Sequence, residues 1–227
     1  MQKIKNFFYK TTGLFIDWSQ LKKLPDIDIF IDIGFGPNGS PDLIKKFKNK
    51  ELILIDPLKE SETFAKLSIK KNKFTFYRCA VGSHNHVLKL NVEKNLGRST
   101  LLKTKKINFE GGNICSRKIN VFTLDYIMKL HAKEGVKSKL NRKTNRRIGI
   151  KIDTEGYEFN VIKGAKKTLK KTDFVLLEAR HNHISFYNQY KLSQLMKLMC
   201  DNGFFLEMII TAKPFIADLC FVRLKNN

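Results

Sequence analysis

The stretch Ile27–Leu43, IDIFIDIGFGPNGSPDL, decides how the chain is read. An apolar run interrupted only by acids reaches Asp32, and Gly34, Gly36 and Gly39 then predict a tight turn. Ser40 follows at an N-cap position and Pro41 at the first helical one. A strand, a glycine turn and a helix N-terminus are together the parts of a nucleotide-type cofactor pocket.

Further along the chain, strand-like and helix-like segments alternate. Glu51–Ile55, Phe74–Val81, Arg147–Asp153 and Phe174–Glu178 are short buried-strand patterns. Helical spacing marks Pro41–Lys48, Lys59–Lys70, Leu124–Ala132, Tyr157–Lys170 with an interruption at Gly164, and Gln189–Asp201. Val87–Val92 and Ile119–Phe122 read as short extended pieces. Helices between successive strands require right-handed crossovers and therefore a parallel sheet. The closing runs Phe204–Thr211 and Ala217–Leu224 are joined by a turn at Lys213-Pro214, too short for a crossover. They form an antiparallel hairpin. The expectation is a single α/β domain over 27–227: an open, mostly parallel sheet, helices on both faces and an antiparallel last strand. Residues 1–26, basic and then partly apolar, are expected to form a helical capping segment.

The 227 residues carry a formal charge of +22, from 43 Lys and Arg against 21 Asp and Glu. Such a field attracts anions: nucleic acid, phosphorylated small molecules or acidic glycans. An AT-rich genome also favours lysine, so the charge alone does not select among them. The densest basic block, Lys133–Arg147, reads as a solvated loop. No stretch is apolar enough to span a bilayer, and the broken N-terminal pattern gives no expectation of a secretory signal. Cys79, Cys115, Cys200 and Cys220 form no CxxC pair and suggest no zinc site. Reduced thiols in a cytoplasmic protein are expected.

Gly34, Gly36 and Gly39 satisfy GxGxxG, a pattern of low specificity. Asp56 ends the second strand, where an acid binds ribose hydroxyls in a nicotinamide or an S-adenosylmethionine site alike. Asp32, just before Gly34, separates the two. A nicotinamide or flavin cofactor would set a pyrophosphate over this turn, and a carboxylate there would repel it. Pro37 also removes one backbone N–H from the cradle. S-adenosylmethionine carries a sulfonium and an ammonium and no phosphate, so D-x-G-x-G favours it.

The segments FIDIGFGPNGS (30–40), LILIDP (52–57), CAVGS (79–83), RSTLL (98–102), VFTLDYI (121–127), IGIKIDTEGYEFNVIKGA (148–165) and FVLLEARHNH (174–183) run in this order. On them the chain resembles the FkbM family of S-adenosylmethionine-dependent methyltransferases. IKIDTEGYE is the most specific block. The first loop departs from the family's frequent DVGAN, reading DIGFGPNG here, with its acid and glycine turn retained. The resemblance implies a Rossmann-like class I methyltransferase fold. It implies that Asp32, Gly34, Phe35, Gly36, Pro37 and Gly39 cradle the methionine portion of the cofactor. Asp56, with Pro57 after it, would hold the ribose, and Ala80 and Val81 would lie by the adenine. Ordinary core packing is the competing account for those last two.

Methyl transfer to a hydroxyl needs an aligned acceptor and a group to take its proton. Asp153 and Glu178 are expected at neighbouring strand ends, with Glu155 between them in sequence. They suit either a base and a positioner or a divalent cation with oxygen ligands, and the sequence specifies neither metal nor oligomeric state. Glu158 reads as charge complementing a helix N-terminus. His181 and His183 are base candidates, and Arg180 is a candidate grip for a substrate phosphate or carboxylate. Arg98, Ser99 and Thr100 either line the acceptor pocket or cap a loop. The resemblance implies O-methylation of a small-molecule acceptor, a sugar or nucleotide-activated sugar. The alternatives are a nucleic-acid methyltransferase, a nicotinamide-dependent oxidoreductase and a non-catalytic binding module.

Overall fold

The computed structural model describes residues 24–69, 73–105, 113–137, 146–181 and 186–224. Most of the expected capping segment, part of the basic block and His183 lie outside them. Seven strands form one sheet in the order β3-β2-β1-β7-β8-β10-β9. In chain order these are β1 (Ile29–Ile33), β2 (Glu51–Ile55), β3 (Phe74–Tyr77), β7 (Ile148–Ile152), β8 (Thr172–Arg180), β9 (Phe204–Ala212) and β10 (Ile216–Arg223). β1 pairs in parallel with both β2 and β7, and β7 with β8. β10 runs antiparallel to both β8 and β9, as the short final turn requires.

Side chains alternate across the sheet, so each face carries its own core. On one face Ile31, Ile33, Ile150, Ile152, Val175 and Leu177 form a cluster with residues from α3 (Leu124–Lys137), α4 (Glu158–Lys163) and α6 (Leu192–Asp201). On the other, Phe30, Leu52, Leu54, Phe174 and Leu176 cluster with Leu43 and Ile44 of α1 (Pro41–Lys46) and Ala65 of α2 (Lys59–Ser68). Apolar burial on this scale is the main stabilising term. Asp32 and Lys151 fall on the second face by the same alternation, side by side in the register.

Several elements differ from the sequence expectation. The run Phe74–Val81 is two strands. Cys79 N–H donates back to the Tyr77 carbonyl at 3.0 Å, and this kink takes the chain out of the main sheet. Ala80–Val81 (β4) then pairs with β6 (Asn113–Phe122) in a second, three-stranded sheet of order β4-β6-β5. β5 (His86–Glu93) and β6 are therefore long antiparallel partners rather than short extended pieces. β8 continues past Glu178 to Arg180. Helix α3 runs on into the basic block as far as Lys137. At the end of that block Arg146 pairs with Glu51 and Arg147 with Asp26. Cys79 and Cys220 are buried, and all four cysteines are free.

The interruption expected at Gly164 separates α4 from α5 (Lys166–Leu169). A Cβ added at Gly164 would lie 1.9 Å from the Gly82 carbonyl oxygen, so the helix pair rests directly on the backbone leaving β4. We expect Gly164→Ala to lower stability by about 1–3 kcal/mol through overpacking. Urea unfolding measures it, and an unchanged midpoint would contradict this packing.

Candidate active site

The sheet order reverses direction at β1, between β2 and β7, and a crevice opens there beyond the carboxyl ends of the strands. It forms a cavity of about 340 Å³. One wall is the glycine turn 33–43, and a second is Asp56–Leu58 with Cys79–Val81. Lys151, Asp153, Thr154, Glu155 and Tyr157 form the floor, and Leu90, Leu96, Ser99 and Leu101 close it from the second sheet. The turn is fixed on both sides: Gly34 N–H donates to the Ile55 carbonyl, and Asp153 N–H to the Ile33 carbonyl. Gly34 has φ +77°, and a Cβ there would lie 1.7 Å from the Asp153 carbonyl oxygen. No side chain fits between these strand ends. Gly36, at φ +71°, is the opposite case, because a Cβ there meets nothing within 4 Å. Its backbone faces open space.

Asp32 is wholly buried and does not line the cavity. Lys151 Nζ lies 3.4 Å from Asp32 Oδ1 and 3.2 Å from Asp153 Oδ2, so two carboxylates share one buried ammonium. Burial opposes the Lys151 charge, yet Asp153 and Asp32 hold its pKa above the ordinary lysine value. Burial pushes Asp32 up, against the pull of Lys151. Both directions follow from one cation serving two acids: the ammonium keeps its charge, and the deeper carboxylate is the under-compensated one. Asp32 Oδ2 has no hydrogen-bond partner among the described residues. Ser40 holds the N-cap position of α1 without making a capping bond; its hydroxyl favours the charged form of Asp32 instead.

Asp56 lines the cavity with both oxygens engaged. Oδ2 accepts from Gly36 N–H at 2.9 Å and Oδ1 from Leu58 N–H at 2.8 Å. The Ser61 hydroxyl also favours the charged form of Asp56, and a carboxylate offers about four lone-pair sites, so accepting capacity remains for a ligand. Phe35, Pro37, Gly39, Pro57, Ala80 and Val81 also line the cavity.

The loop after β7 holds the densest polar network. Glu155 has φ 52° and Gly156 φ 98°. A non-glycine residue in this region persists only where its surroundings hold it. Thr100 Oγ1 donates to the Glu155 carbonyl at 2.8 Å, and Arg180 pairs with the Glu155 carboxylate. Glu158 Oε1 accepts from Thr154 N–H, Thr154 Oγ1–H and Gly156 N–H. Its Oε2 accepts from the Tyr190 hydroxyl, which accepts in turn from Arg180 N–H. Glu158 is thus a buried hub for the loop, beyond its role at a helix N-terminus.

Asp153, Glu155 and Glu178 offer carboxylate oxygens that lie within 4.8 Å of one another. Asp153 is held by Lys151 and Glu155 by Arg180; Glu178 has no ion pair among the described residues. Burial, and then the negative charges of Asp153 and Glu155, raise the Glu178 carboxyl well above its ordinary range. Burial also raises Glu155, against the opposing charge of Arg180.

His181 is drawn away from this cluster. Its Nε2–H donates to the Lys213 carbonyl and its backbone N–H to the Phe215 carbonyl, fixing it to the β9–β10 turn outside the cavity lining. Arg180 is only 7% exposed and committed to Glu155, so it does not serve as a free grip for an anion. Ser99 lines the cavity while Thr100 is buried beneath it as a loop anchor. Lys151, Tyr190 and the hub role of Glu158 were missed from the sequence. A lysine inside the otherwise apolar strand RIGIKID was the available signal for the first.

Tyr190→Phe removes the donor to Glu158 and the acceptor of Arg180 N–H. We expect a loss of about 1–3 kcal/mol, since a buried partner is left unpaired. A thermal melt reads this, and an unshifted midpoint would show that the network is slack.

Residues 38–206 match the Methyltransferase FkbM domain family. No curated protein gives a match. Among solved structures, Methyltransferase FkbM from Methylobacillus flagellatus KT aligns with a TM-score of 0.50 at 16% identity, covering 92% of this chain and 47% of that one. Magnesium protoporphyrin IX methyltransferase from Synechocystis PCC 6803, with bound SAM, aligns with a TM-score of 0.45 at 12% identity, over 98% of this chain and 83% of that one. This chain spans about half the length of the first, at 47%. By the extent of the family match, well over half its residues, the chain belongs to the FkbM methyltransferase family.

Proposed function

We propose that this protein is an S-adenosylmethionine-dependent O-methyltransferase whose acceptor is a hydroxyl of a small polyhydroxylated molecule, a sugar or nucleotide-activated sugar. The observation that carries the reading is the position of Glu178, which lies outside the cavity lining and has no ion pair among the described residues, with a carboxylate oxygen within 4.8 Å of those of Asp153 and Glu155, two held acids that line the glycine-turn cavity. The cavity suits a cationic donor. Gly36 leaves a cradle open, Asp32 keeps an orphaned oxygen beneath it, and Asp56, Asp153 and Glu155 line it with acids. A pyrophosphate would meet repulsion from these groups.

When bound, S-adenosylmethionine supplies an electrophilic methyl group on a sulfonium. Asp56 would take the ribose hydroxyls with its remaining lone-pair capacity, and Ala80 and Val81 would give the adenine an apolar wall. Asp32 and Asp153 favour positive charge near the glycine turn, and Lys151 limits the excess to about one unit. Glu178 accepts the acceptor's proton as the general base, with Asp153 as the neighbouring positioner. His181, tied to the β9–β10 turn, has no part in this step. Since Lys151 and Arg180 already hold two of the three carboxylates, the reading needs no divalent cation. Activity is therefore expected to survive chelation by EDTA. A complete loss restored by magnesium would instead assign the three carboxylates to a cation.

Calorimetric titration with S-adenosylmethionine tests donor binding. Asp56→Asn should weaken it about 10–100-fold, the worth of hydrogen bonds to a charged group. Unchanged affinity in a folded variant would remove Asp56 from the site.

Glu178→Gln separates chemistry from folding. A base must be ionised, so kcat/KM should rise with pH along a limb above the ordinary glutamate range of about 4.3. In the variant that limb should vanish and the rate fall about 10²–10⁴-fold. The stability sign is opposite. A carboxyl raised in the folded state favours folding below its unfolded pKa, and this contribution is lost as pH rises through the folded value. The glutamine variant should therefore be at least as stable as the parent at pH 8. Reduced stability there would contradict the assignment.

A further inference from the structure

We propose that the acceptor carries a phosphate or diphosphate group, and that Lys103 and Lys105, both beside the Tyr187 ring next to the loop that bears Gly156 and Tyr157, hold it. The inference rests on the methyltransferase reading above and adds the charge of the substrate to it.

Lys103 Nζ lies 5.6 Å and Lys105 Nζ 5.5 Å from the centroid of the Tyr187 ring. Neither ammonium lies within ion-pair distance of a carboxylate among the described residues. Two like charges converging on one ring without an acid repel each other, and an anion between them relieves that repulsion. Tyr187 is 50% exposed, whereas its neighbour Phe186 is 1% exposed. The feature is thus a built platform with one buried foot and one open face.

The foot ties the platform to the reaction loop. Tyr187 N–H donates to the Lys103 carbonyl at 2.9 Å, and Thr104 bridges to Phe186. Phe186 packs with Leu102 and Tyr157, and the Arg180 guanidinium lies 5.0 Å from its ring centroid. A Cβ on Gly156 would meet the same ring at 2.9 Å. Thr100, on the same strap, holds the Glu155 carbonyl. Leu101, on the same strap, lines the cavity, as does Tyr157, against which Phe186 packs.

The charge layout favours the two lysines as well. The cavity is lined by Asp56, Asp153 and Glu155 and repels an anion from its interior. Arg180, the other cation near the acceptor side, is already neutralised by Glu155. A phosphate drawn in by the +22 field meets, at Lys103 and Lys105, two cations without an acid partner among the described residues. A small nucleotide-activated or phosphorylated sugar is the class that offers both a hydroxyl and such a group.

The test is titration of the full chain with inorganic pyrophosphate, a uridine diphosphate sugar, a neutral monosaccharide and a single-stranded RNA decamer, with the parent and Lys103→Gln/Lys105→Gln. We expect the two diphosphates to bind the parent and to weaken at least 10-fold in the double variant. S-adenosylmethionine affinity should be unchanged and the neutral sugar should not discriminate between the proteins. Equal diphosphate affinity in parent and variant would overturn the proposal, and so would RNA binding far tighter than either diphosphate. Loss of the variant's fold would be seen in its melting temperature; Tyr187→Ala, which leaves both lysines in place, then carries the test, with weaker diphosphate binding expected and unchanged binding counting against the platform. Failure of the parent to bind S-adenosylmethionine would overturn the methyltransferase reading separately.

Discussion

A buried ammonium between two carboxylates is the constraint on which the rest of the site depends. Lys151 lies on the inner face of a central strand, beside Asp32 and below Asp153. Ions withdrawn from water in this way persist only where their partners are close, and removing one partner leaves an uncompensated charge. The pair therefore penalises any slip between β1 and β7, since a one-residue shift would turn each side chain to the opposite face. Gly34 enforces the same alignment from the backbone side, because the β7 end comes too near for a side chain. Charge and sterics fix one register, and that register sets the width of the crevice where the sheet order reverses.

On this fixed floor stands a loop that would not keep its shape alone. Glu155 has a left-handed backbone, and its conformation is held at the carbonyl by Thr100 and at the carboxylate by Arg180. Glu158 gathers the amides on either side of it and passes the constraint to Tyr190. The connection between β5 and β6 contributes through Thr100, so the second sheet and the acid-bearing loop form one mechanical unit. Three carboxylates therefore remain close together: two are restrained by cations, and the third is carried by β8, which the sheet fixes between β7 and β10.

The main sheet was legible because its signals are local. Alternating short apolar runs and helical spacing give parallel crossovers, and the turn at Lys213-Pro214 leaves no room for another helix. The turn before α1 was legible for the same reason, as Gly34 and Pro41 each have a direct backbone consequence. The kink after Tyr77 was not, since neither glycine nor proline marks it and Phe74–Val81 continues as an apolar pattern. The second sheet was hidden because β5 and β6 pair across a long sequence separation, where periodicity carries no information about the partner. In the site, Asp56 and Asp153 could be placed from their strand ends. Lys151 was passed over inside its apolar strand, and Arg180 was read as a grip for a substrate anion, because which acid meets which base is decided by the packed structure rather than by spacing.

The distribution of charge has a consequence of its own. Acids collect in and beneath the crevice, where burial raises Asp32, Asp56 and Glu178 above their ordinary values, while the net excess of cations is carried elsewhere. A uniformly basic surface would attract any polyanion equally and would not orient it. Orientation requires a local contrast, and the proposed platform would provide one: Lys103 and Lys105, unpaired with acids among the described residues, stand beside the loop whose acids line a cavity that repels anions. A molecule with one anionic end and one neutral, hydroxyl-bearing end is sorted by that contrast. On the proposed reading, its anion is held at the two lysines, and its hydroxyl is the part that can approach the acid cluster of Asp153, Glu155 and Glu178 without meeting repulsion.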